Sequence, residues 1–139
     1  MGSNIISSVY KGGMAFCAQI NGHTVTIDLD KSDGGNDLGT SPKILMLVSL
    51  AGCTGVDVVG ILNKMKVNFS DLTINVEAHL TEEHPKIYDD VTIIYTIKVG
   101  SKHEFNVKKA VALSQEKYCG VSEMFRSFAK LSSKIIYLN

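Results

Sequence analysis

From Ile44 to Leu62 the chain reads ILMLVSLAGCTGVDVVGIL, nineteen residues with a single charge, Asp57, set between Lys43 and Lys64. By length alone this run could cross a bilayer. Against that stand Gly52, Gly55 and Gly60, and an aspartate whose burial at mid-bilayer costs about 2.5–3.5 kcal/mol. No other segment resembles a second span, so the expectation is no membrane partner and a helix buried on most sides of a soluble protein. Ser41-Pro42, just before the run, supplies an N-cap and a proline at the first helical position. The helix therefore starts there and runs to about Lys64 or Lys66, with a break expected near Thr54-Gly55.

On the N-terminal side the pattern is β. Ile5 to Lys11 reads as a strand, Gly12-Gly13 as a turn, and Met14 to Ile20 and His23 to Leu29 as strands joined by Asn21-Gly22, a strong two-residue hairpin signal. Lys31 to Gly39, rich in glycine and short polar residues, reads as a mobile loop. On the C-terminal side Val67 to Glu83 and Ile87 to Val99 are two long β-rich runs joined at Glu83-His84-Pro85, the second apolar on much of both faces. Val107, Ala110, Val111 and Ser114 recur at helical spacing, and a further helix is expected from Tyr118 to Ala129 with Val121, Met124, Phe125 and Phe128 as its apolar stripe. Ser133 to Leu138 reads as a closing strand. The fold class is α+β in a single domain, residues 1–139: N-terminal antiparallel strands, a long central helix, two long strands, a second helical region and a closing strand.

Composition narrows the function. The 139 residues carry 14 basic and 14 acidic side chains, a formal net charge of zero, which argues against the basic character that phosphate backbones select, so no nucleic-acid partner is expected. Hydrophobic residues make up 45% and charged ones 20%, more apolar material than a small monomer needs to hide. His23, His79, His84 and His103 are scattered without ligand spacing, so no metal is expected. No phosphate-binding loop, dinucleotide fingerprint or serine-hydrolase elbow is present, and no cofactor is called for.

The chemistry that remains is thiol chemistry. Cys17, Cys53 and Cys119 show no C-x-x-C spacing, and the polar start lacks a secretory pattern. A reducing cytoplasm is expected, where a disulfide is more often catalytic than structural. Cys17, on a strand, reads as an inert small hydrophobe. Cys53 sits in Ala51-Gly52-Cys53-Thr54-Gly55, where small residues let a substrate or another backbone approach. Cys119, in Glu116-Lys117-Tyr118-Cys119-Gly120, falls near a helix N-terminus whose partial positive charge favours a thiolate. Arg126, seven residues on, shares its helical face about two turns away. Whether residues 53 and 119 meet, spacing does not say.

At these cysteines the sequence resembles a known family. Ser41-Pro42-Lys43-Ile44-Leu45, Ser49-Leu50-Ala51-Gly52-Cys53-Thr54, Asp57-Val58-Val59 with Ile61-Leu62, and Leu113-Ser114-Gln115-Glu116-Lys117-Tyr118-Cys119 resemble the OsmC/Ohr family of osmotically inducible and organic hydroperoxide resistance proteins, in its OsmC-like branch. The resemblance implies an intertwined homodimer with long central helices wrapped by sheets from both chains. It implies a thiol-dependent peroxidase that reduces small organic hydroperoxides in oxidative stress defence, with Cys53 peroxidatic, Cys119 resolving, and a small or protein-bound dithiol as reductant. Apolar walls for the peroxide are expected from Ile44, Leu45, Val48 and Met65.

Two departures bear on that activity. Active members bring an arginine from the N-terminal strands to the peroxidatic thiolate, held by a glutamate after the helix-start proline; here Lys43 stands at that glutamate's place and Arg126 is the only arginine. Lysine, as Lys11 or Lys43, brings charge without the planar fork that orients a peroxide. The alternative reading is a non-enzymatic relative that binds a small apolar ligand or senses redox state. Lys43, Glu116 and Asp57 are the candidate supporting groups. Asp57 either tunes the thiol or acts as a base, or caps a helix break; Glu116 is either a solvated helix-start acid or a partner for a lysine near the site.

Overall fold

The computed structural model describes residues 2–139. Its internal contacts gather into two units, Met1–Leu47 and Val48–Asn139.

In the first unit, strands β1 (Ser8–Tyr10), β2 (Phe16–Ile20) and β3 (His23–Ile27) form an antiparallel meander in that order. Asn21 and Gly22 both have positive φ, 48° and 81°, the geometry that matches a two-residue hairpin to strand twist. Lys31 to Gly39 is better ordered than its composition suggests. A short 3₁₀ turn spans Lys31–Asp33, and the buried Asp28 carboxylate accepts the backbone N–H groups of Leu29, Asn36 and Leu38 at 2.7, 3.2 and 3.2 Å. Burial by itself would raise the Asp28 pKa; the three amide donors outweigh it, and the carboxyl sits below its ordinary value. The alternation of β3 thus continues into a polar position that is buried, because the loop wraps around it.

Helix α1 (Pro42–Lys64) starts at the expected proline and runs unbroken through Thr54-Gly55. Gly55 is there for closeness: a Cβ on it would lie 2.9 Å from Cδ1 of Ile74. Within the chain the helix buries only the stripe Leu50, Thr54, Val58 and Leu62, one residue per turn. The expectation of burial on most sides is therefore not met by one chain. Val48 and Val56 are 57% and 74% exposed, and the helix is long and apolar enough to cross a membrane by length and composition.

In the second unit, β4 (Phe69–Leu80) pairs antiparallel with β5 (Tyr88–Val99), and β6 (Lys130–Leu138) pairs parallel with β5 on its other side. β5 is the central strand, which is why its apolar residues fall on both faces: Val91, Ile93, Tyr95 and Ile97 are fully buried and Ile94 nearly so. A parallel partner requires a long return, and helices α2 (Glu104–Leu113) and α3 (Gly120–Arg126) supply it, joined by a π-helical turn over Ser114–Tyr118. Val107, Ala110, Val111 and Ser114 are buried as their spacing predicts. The last helix is shorter than expected and shows another face: Ser122 and Phe125 are buried while Met124 is exposed. Phe128 lies beyond the helix end, its ring 4.9 Å from that of Phe125.

Candidate active site

Cys53 lies near the middle of α1 and is half-buried; Cys119 is buried at the start of α3. The fold brings the two thiols near enough for Cys53 to act on the titration of Cys119, although 65 residues separate them in sequence. Neither forms a disulfide here.

Cys119 N-caps α3. Its Sγ accepts the backbone N–H of Ser122 at 3.3 Å, while the buried Ser122 hydroxyl has no hydrogen-bond partner among the described residues. This is the helix-start position expected for it, but the expected thiolate preference is reversed. Burial pushes the Cys119 thiol above its ordinary value, the Ser122 groups pull it back, and the facing Cys53 pushes it up again, leaving it raised overall. A helix of seven residues offers too little field to overturn the loss of water. Cys119 is thus a thiol held toward its protonated form by burial.

Behind the cysteines lies a buried polar cluster. Thr54, next to Cys53, places Oγ1 at 2.6 Å from the Tyr95 hydroxyl and 2.8 Å from Ser114 Oγ. Ser114 Oγ donates to Asp57 Oδ2 at 2.9 Å. Gln115 Nε2 donates to the Tyr95 hydroxyl at 2.9 Å and to Thr54 Oγ1 at 3.2 Å. Thr54, Ser114 and Tyr95 are fully buried, so each must find its partners within the protein. Burial also raises the Tyr95 phenol, against the lowering effect of its Thr54 and Gln115 bonds, with small upward contributions from Cys119 and Asp57.

The other expected residues are distributed differently. Asp57 caps no helix break, since there is none; it receives the Ser114 hydroxyl. Glu116 is exposed in the π turn and lines a cavity of about 460 Å³ with Lys108, Lys134 and Tyr137. Lys43 and Ile44 are exposed in the first turn of α1, within the first unit, and Leu45 beside them is half-buried. Arg126 makes no contact with Cys119: its Nη2 donates to the Gln115 carbonyl at 2.8 Å and pairs with Glu123 at 3.5 Å. Met65, twelve residues beyond Cys53 and so about 18 Å along the helix axis, accepts a 3.6 Å contact from Asn106 and does not wall the thiol. Cys17 is half-buried on β2, 3.4 Å from Thr26 Oγ1. Among the described residues no cluster of three or more His, Cys, Asp or Glu side chains could hold a metal ion.

Sequence reasoning missed Thr54, Tyr95, Gln115 and Ser122. Ser114 was visible only as an apolar-stripe member; a serine on an otherwise apolar face was the one signal that a buried hydrogen bond would be found there.

Comparisons with known proteins agree with this geometry. The chain is 26% identical over 121 residues to protein YhfA of Escherichia coli K12, a match covering 86% of this chain and 87% of the relative. A solved hypothetical protein from Aquifex aeolicus VF5 superposes with a TM-score of 0.80 at 29% identity, covering all of both chains. An organic hydroperoxide resistance protein from Elizabethkingia anophelis shares the fold, with a TM-score of 0.69 and 13% identity over 99% of each chain. The family model described as OsmC-like protein matches residues 34–134, a span that holds both cysteines, the polar cluster and the whole of α1, and the chain belongs to that family.

Proposed function

We propose that the protein is a thiol-dependent peroxidase for small organic hydroperoxides. The observation that carries this reading is the nearness of Cys53 and Cys119, one half-buried on a helix and one buried at an N-cap. The Cys53 thiolate attacks the distal peroxide oxygen; the O–O bond breaks, the alkoxide leaves as alcohol on taking a proton, and Cys53 becomes a sulfenic acid. Cys119 then attacks the sulfenic sulfur, forming a disulfide and releasing water. A dithiol restores both thiols by exchange and is itself oxidised to a disulfide. The organic hydroperoxide resistance protein of the same fold supports this substrate class.

Residues 1–139 act as one domain in this reading, since the family match runs across the boundary between the two units. The exposed apolar face of α1, including Val48 and Val56, is covered by a second copy in a homodimer working in a reducing cytoplasm, with no nucleic acid or membrane as partner.

A second reading, a redox sensor or ligand binder without turnover, is favoured by one observation: the only arginine is held by Gln115 and Glu123 and supplies no fork for a peroxide. Consumption of cumene hydroperoxide under a dithiol reductant separates the two. The peroxidase consumes it at a rate that falls at least a hundredfold in Cys53→Ser; equal rates for the two proteins would leave the second reading.

A further inference from the structure

Ser114 holds both cysteine carriers. Its hydroxyl reaches Thr54 and Asp57, which lie one turn apart on α1, and its carbonyl accepts the backbone N–H of Cys119 at 2.8 Å. The π-helical turn is what allows this, because its wider i to i+5 bond is the one from Cys119 back to Ser114.

The hydrogens in the cluster can be assigned from the bonds themselves. Ser114 gives its hydrogen to Asp57, so at 2.8 Å from Thr54 it must accept, and Thr54 donates to it. Thr54 has then no hydrogen left for Tyr95, so at 2.6 Å the phenol donates to Thr54. Gln115 fills the second acceptor position of Thr54 and that of Tyr95. Every hydroxyl hydrogen thereby has an acceptor. The reverse assignment leaves the buried Tyr95 hydrogen with none and sets two hydroxyl oxygens face to face without a hydrogen between them. The chain runs one way, Tyr95 to Thr54 to Ser114 to Asp57, and a fully satisfied buried network of this kind specifies a single arrangement.

We infer that this hydroxyl chain is a clamp that sets the approach of Cys119 to Cys53, making Thr54 and Ser114 positioning residues for disulfide closure and not for the first attack on peroxide. The inference deepens the peroxidase reading. Closure needs the two sulfurs to reach bonding distance in a fixed orientation. The clamp ties the segment before Cys119 to the residue after Cys53, so the closing partner is held at high effective concentration. Without it, Cys119 keeps the backbone bonds of its turn and the Gln115 bond to Tyr95 but loses the hydroxyl tie between its turn and α1.

The test compares wild type with Ser114→Ala and Thr54→Val, and with Thr54→Ser, which keeps the hydroxyl. Each protein is equilibrated in glutathione buffers, where one glutathione disulfide oxidises the Cys53–Cys119 pair and yields two glutathione thiols. The product is trapped by acid and alkylation and read by intact mass. The wild type is expected to close to the protein disulfide. Ser114→Ala and Thr54→Val should lose tenfold or more in the equilibrium constant and accumulate glutathione mixed disulfide on Cys53, while Thr54→Ser stays within threefold of wild type. In a parallel single-turnover reaction with cumene hydroperoxide, thiol loss at Cys53 should change less than twofold in these variants, with dimedone-trapped sulfenic acid increased. Unchanged closure in both hydroxyl-less variants, a wild type that forms only the mixed disulfide, or an equal loss of both steps overturns the clamp. Failure of the peroxide reaction in wild type, with closure still clamp-dependent in glutathione, overturns only the peroxidase reading. Far-UV circular dichroism shows which variants are folded, and Thr54→Val, nearly equal in size to the native threonine, keeps the comparison decisive if Ser114→Ala does not fold.

Discussion

Gly55 and Ile74 meet so closely that a β carbon on the helix would lie 2.9 Å from the strand residue's Cδ1. The atom in the way is the tip of a side chain, which can turn. Gly55→Ala removes a helix-interior glycine, a gain of roughly 1 kcal/mol, and sets it against mild overpacking, so its stability should stay within about 1 kcal/mol of wild type. Gly55→Leu forces α1 off β4 and should lose about 3 kcal/mol or more. Urea unfolding followed by circular dichroism reads both, and a loss above about 3 kcal/mol in the alanine variant would show that Ile74 has no room to move.

Gly52 and Gly60 give the opposite case. A β carbon on either meets nothing within 4 Å in the chain, and Val56 between them is 74% exposed. If a second copy covers this face, Val56→Glu should convert a dimer to monomer at micromolar concentration in sedimentation velocity, because an unpaired charge would be buried at the interface. A wild type that sediments as a monomer at the same concentration would refute the homodimer.

Cys119 should alkylate slowly. Burial has raised its thiol, and the thiolate is the reactive form. With iodoacetamide at pH 8, peptide mapping should find Cys53 modified at least tenfold faster, with the Cys119 rate climbing only at pH above the ordinary thiol range. By linkage, a raised thiol favours the folded state below its unfolded pKa, and this contribution fades as pH rises through the folded value. Equal rates at the two positions would mean that Cys119 is ionised and accessible.

The loop around Asp28 should be the first part of the molecule to respond to acid. Its carboxyl is held below the ordinary value, so its stabilising effect is complete above the unfolded carboxylate pKa and is lost as pH falls through the folded one. Stability measured from pH 6 down to about pH 2 should fall more steeply in wild type than in Asp28→Asn, whose charge never titrates. Parallel curves for the two proteins would show that Asp28 does not couple the loop to pH.

Local signals made much of this fold readable. Asn21-Gly22 names its turn because both residues tolerate positive φ, and Ser41-Pro42 names the start of α1 because capping is a matter of a few adjacent residues. The helix break expected at Thr54-Gly55 failed for an instructive reason: glycine serves close packing as well as bending, and the sequence does not say which until Ile74 is in place. The thiolate reading of Cys119 failed similarly, since a helix start is visible in sequence while burial at its tip is not. The meeting of Cys53 with Cys119, and the grip of Ser114 on Thr54 and Asp57, span more than fifty residues and are set by the strands between them. Only the paired motifs, known from relatives, hinted at the first. Nothing but a serine on an apolar stripe hinted at the second.

The parallel pairing of β6 with β5 has a consequence for how the molecule can open. Everything between Val99 and Lys130 is return path, and Cys119 travels on it while the ladder of β4, β5 and β6 holds its own register. Opening of this segment can then occur as a sub-global event that leaves the ladder intact. A thiol carrier built this way can be loosened by one redox state and tightened by another, as a latch moves on a door whose hinges stay fixed.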